Sequence, residues 1–236
     1  MKNIIRICMT IIFLCFFVFT TIYIFKWKVD SHHTKEVITQ IKKMINIPTK
    51  REYTMNLDNL IEMNKDTLGY IKIEGTNISY PFVQTKDNKY YLNHSFNKKY
   101  NDAGWIFMDY RNKDLNDKNV ILYGHDRKDN TMFGTLKNVL KKSWQDNTKN
   151  HIITIYAKGI TYYYKVFSTY HIKTEDYYIT TDFKKESFSN FIKTLKKRSN
   201  YNYNIDVNKN DTILTLSTCY TEKEKVVLHA VKLNKK

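Results

Sequence analysis

The stretch Asp211-Thr-Ile-Leu-Thr-Leu-Ser-Thr-Cys219 combines a strand pattern with a candidate nucleophile at its end. Its β-branched and apolar residues predict a buried strand that ends at the thiol. A second stretch, Val120-Ile-Leu-Tyr-Gly-His125, predicts another buried strand that ends just before a histidine. We therefore expect Cys219 and His125 to lie at strand ends, where loops carrying functional residues gather.

Short strand signals recur along most of the chain, with turn residues between them. They cover residues 70–73, 78–83, 105–108, 120–123, 152–156, 162–168, 213–216 and 226–233. The first two predict a hairpin that turns at Gly75. Eight short strands in this arrangement indicate a mainly β protein built as a closed or nearly closed barrel.

Helices are predicted at two places. A long helix before the last two strands has Asp182 as a candidate N-cap, apolar residues at 188, 191, 192 and 195, and basic residues at 196–198. Ahead of the barrel, apolar spacing over 37–45 predicts a helix that stops at Pro48, and residues 57–61 predict a second, short one. These two form a helical lead.

Residues 7–25 contain no charged side chain and are long enough to span a membrane. The run ends in bulky residues instead of a small-residue cleavage site, which favours an uncleaved anchor over a signal peptide. Positive charges flank both ends, so they do not select an orientation. We predict an anchor over 1–29, a helical linker over 30–55 and one folded domain over 56–236.

The chain has 39 Lys and Arg against 23 Asp and Glu, a net charge of +16 that is spread along its length. No zinc-finger spacing or other nucleic-acid-binding motif accompanies this charge, so we expect no nucleic-acid partner. A basic surface either keeps the protein soluble or attracts anionic lipid or wall polymers. The sequence predicts no metal site and no cofactor.

Cys219 is the one cysteine outside the anchor region, because Cys8 and Cys15 lie in or beside the apolar run. A lone thiol is either a buried apolar residue or a reactive nucleophile. A nucleophilic thiol needs a partner that takes its proton, and the imidazole of His125 can do so. The competing His229 lies inside an apolar strand, which favours a structural histidine there.

Five segments resemble the class B sortases, in the order in which that family has them. They are Asn77-Ile-Ser-Tyr-Pro-Phe-Val-Gln84, Asp87-Asn-Lys-Tyr-Tyr-Leu92, Gly104-Trp-Ile-Phe-Met-Asp-Tyr-Arg-Asn112, Tyr123-Gly-His125 with Met132-Phe133, and Thr215-Leu-Ser-Thr-Cys219. The resemblance covers roughly residues 55–233. It implies an eight-stranded sortase-type barrel with an added helix, and it makes 56–236 the catalytic domain.

The resemblance also implies a two-step acyl transfer. Cys219 would attack the Thr carbonyl of a C-terminal sorting signal of the Asn-Pro-x-Thr type, and His125 would act as acid and base. Thr218, Ser217 and Arg111 would contact the substrate. The partners implied are a surface protein that carries the sorting signal and a peptidoglycan precursor amine, with a single-pass anchor that holds an extracellular domain at the cell membrane of a Gram-positive bacterium.

One departure from the family concerns its arginine at the start of the final strand. No arginine follows Cys219, and Lys225 occupies the matching place, with Lys223 as the alternative. A lysine supplies the charge without the planar fork of a guanidinium. Two other functions stay open at this point: a cell-wall cysteine peptidase, and an inactive sortase-like binding module. No third member of a catalytic triad is assigned.

Overall fold

Eight strands close into a barrel in a computed structural model that describes residues 2–45, 55–219, 221 and 223–233. The strands are β1 Thr67–Ile73, β2 Ser79–Val83, β3 Phe107–Met108, β4 Asn119–Tyr123, β5 Ile152–Ala157, β6 Ile160–Lys173, β7 Ile213–Cys219 and β8 Glu224–Lys232. Their order around the barrel is β1-β2-β3-β4-β7-β8-β6-β5. The predicted mainly β barrel is confirmed, and each strand falls where the sequence pattern predicted one.

The first hairpin forms as expected. β1 pairs antiparallel with β2, and Gly75 in the turn has a φ of +71°. This left-handed conformation favours glycine because a Cβ would be strained there. The closely packed side chain of Asn150 would also meet a Cβ at this position.

Strand β7 is buried on both faces, which explains its unbroken run of Ile, Leu and Thr. Leu214 and Leu216 belong to the main core cluster, whereas Ile213 packs in a second cluster together with Phe191 and Leu195. The second cluster lies between the barrel and helix α4, Phe188–Arg198. A strand covered on both sides loses the alternation of polar and apolar residues.

The N-cap of α4 differs from the prediction. Ser187, not Asp182, caps the helix, and its side chain accepts a hydrogen bond from the backbone N–H of Asn190. Asp182 lies in a local turn in which its Oδ1 accepts from the N–H of Lys184 at 3.0 Å. The helix therefore begins at the first residue of its apolar stripe, and the segment before it is irregular.

Helix α1 runs without interruption from Lys2 to Met44, so the predicted anchor and the first part of the helical lead are one element of 43 residues. It is long and apolar enough to cross a membrane, and no residue of its most apolar stretch is buried. Its later part packs on the barrel and buries Val37 and Ile41. The described residues also form two short α-helices, α2 Asp58–Met63 and α3 Lys142–Gln145, whereas Pro48 lies outside them.

Candidate active site

The pairing of β4 with β7 brings the two reactive side chains to the same end of the barrel. The strands are parallel neighbours, and Tyr123 stands opposite Ser217 in register. His125 and Cys219 each follow two residues later in the chain. An open cleft of about 230 Å³ lies at these strand ends, and both residues line it.

The thiol of Cys219 is exposed and accepts a hydrogen bond from Lys225 Nζ at 3.0 Å. The two residues face each other in the antiparallel pairing of β7 with β8. A positive charge therefore lies directly beside the sulfur. Lys223 lies just before β8, whereas Lys225 is within it. The backbone carbonyl of Lys223 accepts from the N–H of Thr174 at 2.9 Å, and Lys223 does not line the cleft. Of the two candidate lysines, Lys225 is the one that contacts the thiol.

His125 is partly exposed and is held by its surroundings on two sides. Its Nε2 lies 2.7 Å from the carbonyl oxygen of Leu92, and its own carbonyl accepts from the N–H of Phe133 at 3.0 Å. A carbonyl oxygen can only accept, so Nε2 carries a hydrogen in this contact. In the neutral ring the lone pair then lies on Nδ1.

Thr218 joins the two strand ends. Its hydroxyl donates to the carbonyl of Gly124 at 2.7 Å, next to His125. Ser217 shares a hydrogen bond of 3.0 Å with the hydroxyl of Tyr178, which forms another wall of the cleft. Both Thr218 and Ser217 are buried, so they shape the cleft floor beneath the exposed thiol.

Arg111 is not among the residues that line the cleft. Its guanidinium binds the fully buried Asp109 in a bidentate pair, at 2.9 Å through Nε and 2.7 Å through Nη2, and also donates to the carbonyl of Ile179 at 3.0 Å. Burial opposes the charge on Asp109, but the hydrogen bonds from Arg111 and from Tyr123 outweigh it and lower the pKa of the carboxyl. The pair fixes Tyr123 at the end of β4.

His229 lies in the barrel wall, away from the cleft. It is fully buried, with Tyr170 Oη at 2.9 Å from Nε2 and Thr215 Oγ1 at 2.9 Å from Nδ1. Burial, followed by the charge of Arg198, lowers the pKa of His229 to about 3. The ring is therefore neutral at ordinary pH, which agrees with its interpretation as a structural histidine.

Several residues of the site escaped the sequence prediction. Leu92 and Tyr178 contact His125 and Ser217, and Thr174, Glu175 and Asp176 add a polar rim. Leu92 and Asp109 lie within two of the segments that resemble the family, 87–92 and 104–112. Those segments are the sequence feature from which both residues could have been identified. Over the described part of the chain, no group of three or more His, Cys, Asp or Glu side chains could hold a metal ion.

Comparison with known proteins identifies the family. The family model described as Sortase domain matches residues 71–233. Sortase B of Listeria monocytogenes is 36% identical over 214 residues, 84% of this chain and 85% of that protein. Sortase B of Staphylococcus aureus is 38% identical over 206 residues, 85% of this chain and 83% of that protein.

Solved structures agree with this result. A Staphylococcus aureus sortase B–substrate complex has a TM-score of 0.70 and 39% identity, over 76% of this chain and 85% of that one. A sortase B complexed with triglycine has a TM-score of 0.75 and 33% identity, over 89% of this chain and 99% of that one. The chain therefore belongs to the sortase family of cysteine transpeptidases, with sortase B proteins among its relatives.

Proposed function

We propose that this chain cleaves a C-terminal sorting signal through a Cys219 thioester and transfers the released carboxyl end to an amine. The observation that carries the proposal is the contact of 3.0 Å between Lys225 Nζ and Cys219 Sγ, in a cleft that His125 also lines. A thiol, a cation and an imidazole in one open cleft have the chemistry of a nucleophile, an electrostatic stabiliser and a proton carrier.

The first step forms a bond between Sγ of Cys219 and the carbonyl carbon of the Thr in the sorting signal. His125 first takes the proton of the Cys219 thiol; the C–N bond then breaks, and His125 gives that proton to the leaving amine. With Nε2–H directed to the carbonyl of Leu92, Nδ1 is the ring nitrogen left for this transfer. Lys225 stabilises the thiolate before attack and the developing oxyanion during it.

The second step reverses these roles. An incoming amine attacks the thioester carbon, His125 takes the proton from its nitrogen, and the thiolate of Cys219 leaves. Thr218 holds the backbone beside His125 through the bond to Gly124, so its part is to keep the nucleophile and the proton carrier at a fixed spacing. Arg111 acts at a distance, through Asp109 and Tyr123.

The substrate classes follow from the family and from two relatives. We propose a signal of the Asn-Pro-x-Thr type and a peptidoglycan precursor amine as acceptor. The related sortase B structures contain a substrate in one case and triglycine in the other, and a short glycine peptide offers a free amine of the kind required. Neither partner needs a metal or a cofactor for this chemistry.

The location that suits these substrates is the outer face of a Gram-positive cell membrane. We propose a single-pass anchor within residues 1–29, with the catalytic domain 56–236 outside the cell. The uncharged run at 7–25 lies in an exposed part of α1, which supports a segment that lipid surrounds.

The test is to incubate the detergent-solubilised chain with an Asn-Pro-x-Thr peptide and to look for a covalent adduct on Cys219 by mass spectrometry. We expect an acyl adduct in the parent, none in Cys219→Ala, and turnover reduced at least about a hundredfold in His125→Ala. His32→Ala is the matched control, because His32 is an exposed histidine of α1.

The products distinguish the alternatives. Transfer to triglycine in preference to water supports a transpeptidase, whereas hydrolysis that triglycine leaves unchanged indicates a peptidase. Cleavage of the peptide by Cys219→Ala would refute the proposed mechanism. Peptide binding without any adduct in the parent chain would indicate a binding module.

A further inference from the structure

Helix α1 is joined to the barrel by a set of polar contacts that we name the helix seam. It consists of Lys26, Asp30, Ser31 and Thr34 on α1, Asn101 and Asp102 on the loop before β3, and Arg127 and Asp129 on the loop after β4. Asp30, Ser31, Thr34, Asn101 and Arg127 are all buried. A purely flexible tether would have no need of buried polar partners, because such groups are costly unless they are paired.

Ser31 is the centre of the contact with the loop after β4. Its hydroxyl accepts from Arg127 Nη2 at 2.6 Å and donates to Asp129 Oδ2 at 2.8 Å. Arg127 and Asp129 also pair directly at 3.1 Å, with only 8% of each side chain exposed. Burial opposes the charge of Asp129, but hydrogen bonds from Thr131, Ser31 and Arg127 outweigh it and lower the pKa of the carboxyl to about 2.

Asn101 is the centre of the contact with the other loop. Its Nδ2 lies 3.0 Å from the carbonyl oxygen of Asp30 and 3.2 Å from Thr34 Oγ1. At the membrane-proximal end of the helix seam, Lys26 Nζ and Asp102 Oδ2 form an ion pair of 2.6 Å. The helix seam therefore holds two loops that are far apart in sequence.

Both of these loops reach His125. Arg127 follows it by two residues, and the bridge between Asp126 and Met132 closes the loop that carries it. From the other loop, a methyl group placed on Gly104 would lie 3.0 Å from His125 Cδ2. The N–H of Gly104 donates to the carbonyl of Asn101 at 2.9 Å, so the glycine beside the ring is hydrogen-bonded to a member of the helix seam.

We propose that the helix seam positions the imidazole of His125, so that α1 sets the rate of turnover in addition to its part as an anchor. Ser31, Asp129 and Arg127 are positioning residues in this scheme, because they act through the two loops and not on substrate. The inference rests on the role proposed above for His125. It predicts that loosening the helix seam slows the chemical step and leaves peptide binding largely unchanged, since the wall formed by residues 174–179 belongs to a different loop.

The test compares Ser31→Ala with Thr39→Ala in the full chain, solubilised in detergent. Both changes remove a small hydroxyl from α1, but the hydroxyl of Thr39 is exposed and bonds only within the helix, to the carbonyl of Lys35. We expect kcat to fall about tenfold or more in Ser31→Ala with KM within about twofold of the parent, because small displacements of a catalytic group have large effects on rate. Thr39→Ala should match the parent, and Ser31→Thr, which keeps the hydroxyl, should restore most of the rate.

A direct readout of the imidazole separates positioning from loss of stability. NMR spectra of the His125 ring should show an altered tautomer or ring environment in Ser31→Ala and in Asp129→Asn, but not in Thr39→Ala. Asp129→Asn also provides a second variant if Ser31→Ala folds poorly. If whichever of these two variants folds has the kcat and the His125 spectrum of the parent, and His125→Ala is inactive, this inference is overturned and the proposed function stays intact. An active His125→Ala would instead overturn the proposed function.

Discussion

Two lysines, Lys223 and Lys225, closely follow Cys219 in the chain. Of the two, only Lys225 donates a hydrogen bond to the sulfur of Cys219. The sequence aligned Lys225 with the arginine of the family, and the register of β7 with β8 places it opposite Cys219. Lys223 lies ahead of that strand, where its backbone is bonded to Thr174 instead. Lys225 places a positive charge beside the sulfur but lacks the planar fork of a guanidinium.

We expect Lys225→Ala to lower kcat by about a hundredfold or more, as the loss of a donor to a developing oxyanion commonly does. Lys223→Ala is the matched control and should retain parent activity. Lys225→Arg should be at least as active as the parent, because a guanidinium can bind oxyanion and substrate backbone together. Steady-state kinetics with the sorting-signal peptide measures all three. Full activity in Lys225→Ala would mean that the contact with the sulfur has no part in catalysis.

His229 gives a prediction about stability and pH. Its native pKa of about 3 lies below the ordinary value near 6.5, so the ring takes up a proton when the chain unfolds between these pH values. The free energy of unfolding should therefore fall as pH falls from about 6.5 towards 3, by at most about 1.4 kcal/mol per pH unit from this group.

His229→Gln should be less stable at neutral pH, and its stability should depend less steeply on pH across this range. Denaturant titrations at several pH values measure the effect, with the exposed His32→Gln as control. Equal slopes for His229→Gln and the parent would contradict the burial of a neutral histidine.

At the scale of elements, helix α4 is capped by a different residue from the one that the local sequence pattern favoured. Asp182 and Ser187 are both good N-cap residue types, and the sequence alone favoured the former. The apolar stripe begins at Phe188, directly after Ser187, so burial of that stripe against β7 and β8 determines where the helix starts. Tertiary packing selects between caps that are locally equivalent.

We expect Ser187→Ala to reduce the free energy of unfolding by about 1 kcal/mol, because the N–H of Asn190 loses its side-chain acceptor. Ser189→Ala, on the exposed face of the same helix, should change it by less than about 0.5 kcal/mol. Asp182→Ala should resemble the Ser189 control. Equilibrium unfolding of the three variants decides between the caps, and a larger loss for Asp182→Ala than for Ser187→Ala would restore the first interpretation.

Helix α1 shows a different limit of sequence patterns. Apolar composition predicted an anchor over 1–29 and a separate helical linker. No local sequence pattern indicated that one helix continues through both segments. The structure has one helix through both, and Lys26 and Trp27 already contact the barrel, through Asp102 and Arg127. A segment without recognisable motifs can still make specific contacts, since these depend on partners that lie far away in sequence.

At the scale of the whole molecule, local periodicity was enough to predict eight strands, their approximate bounds and a barrel. Strong strand signals also predicted that Cys219 and His125 lie at strand ends, and the structure places both at one cleft. The sequence did not predict three features: the position of Arg111 away from the cleft, the hydrogen bond of His125 to Leu92, and the helix seam. The bond of His125 and the helix seam depend on contacts between segments 33 to 98 residues apart. The position of Arg111 depends on its ion pair with the buried Asp109. No local pattern encodes such contacts.

Closure of the barrel limits the exposed strand edge through which closely spaced copies of the chain could associate. Every strand that the structure describes pairs with a neighbour on both sides, although β2 and β3 share only the pair of Val83 with Phe107, so the described sheet leaves few N–H and C=O groups open. If many copies share the surface of one membrane, they meet repeatedly at high local concentration, which favours edge-to-edge sheet growth in proteins that have exposed strand edges. A closed ring of strands exposes little edge for such growth, so we expect crowded copies not to polymerise through the sheet.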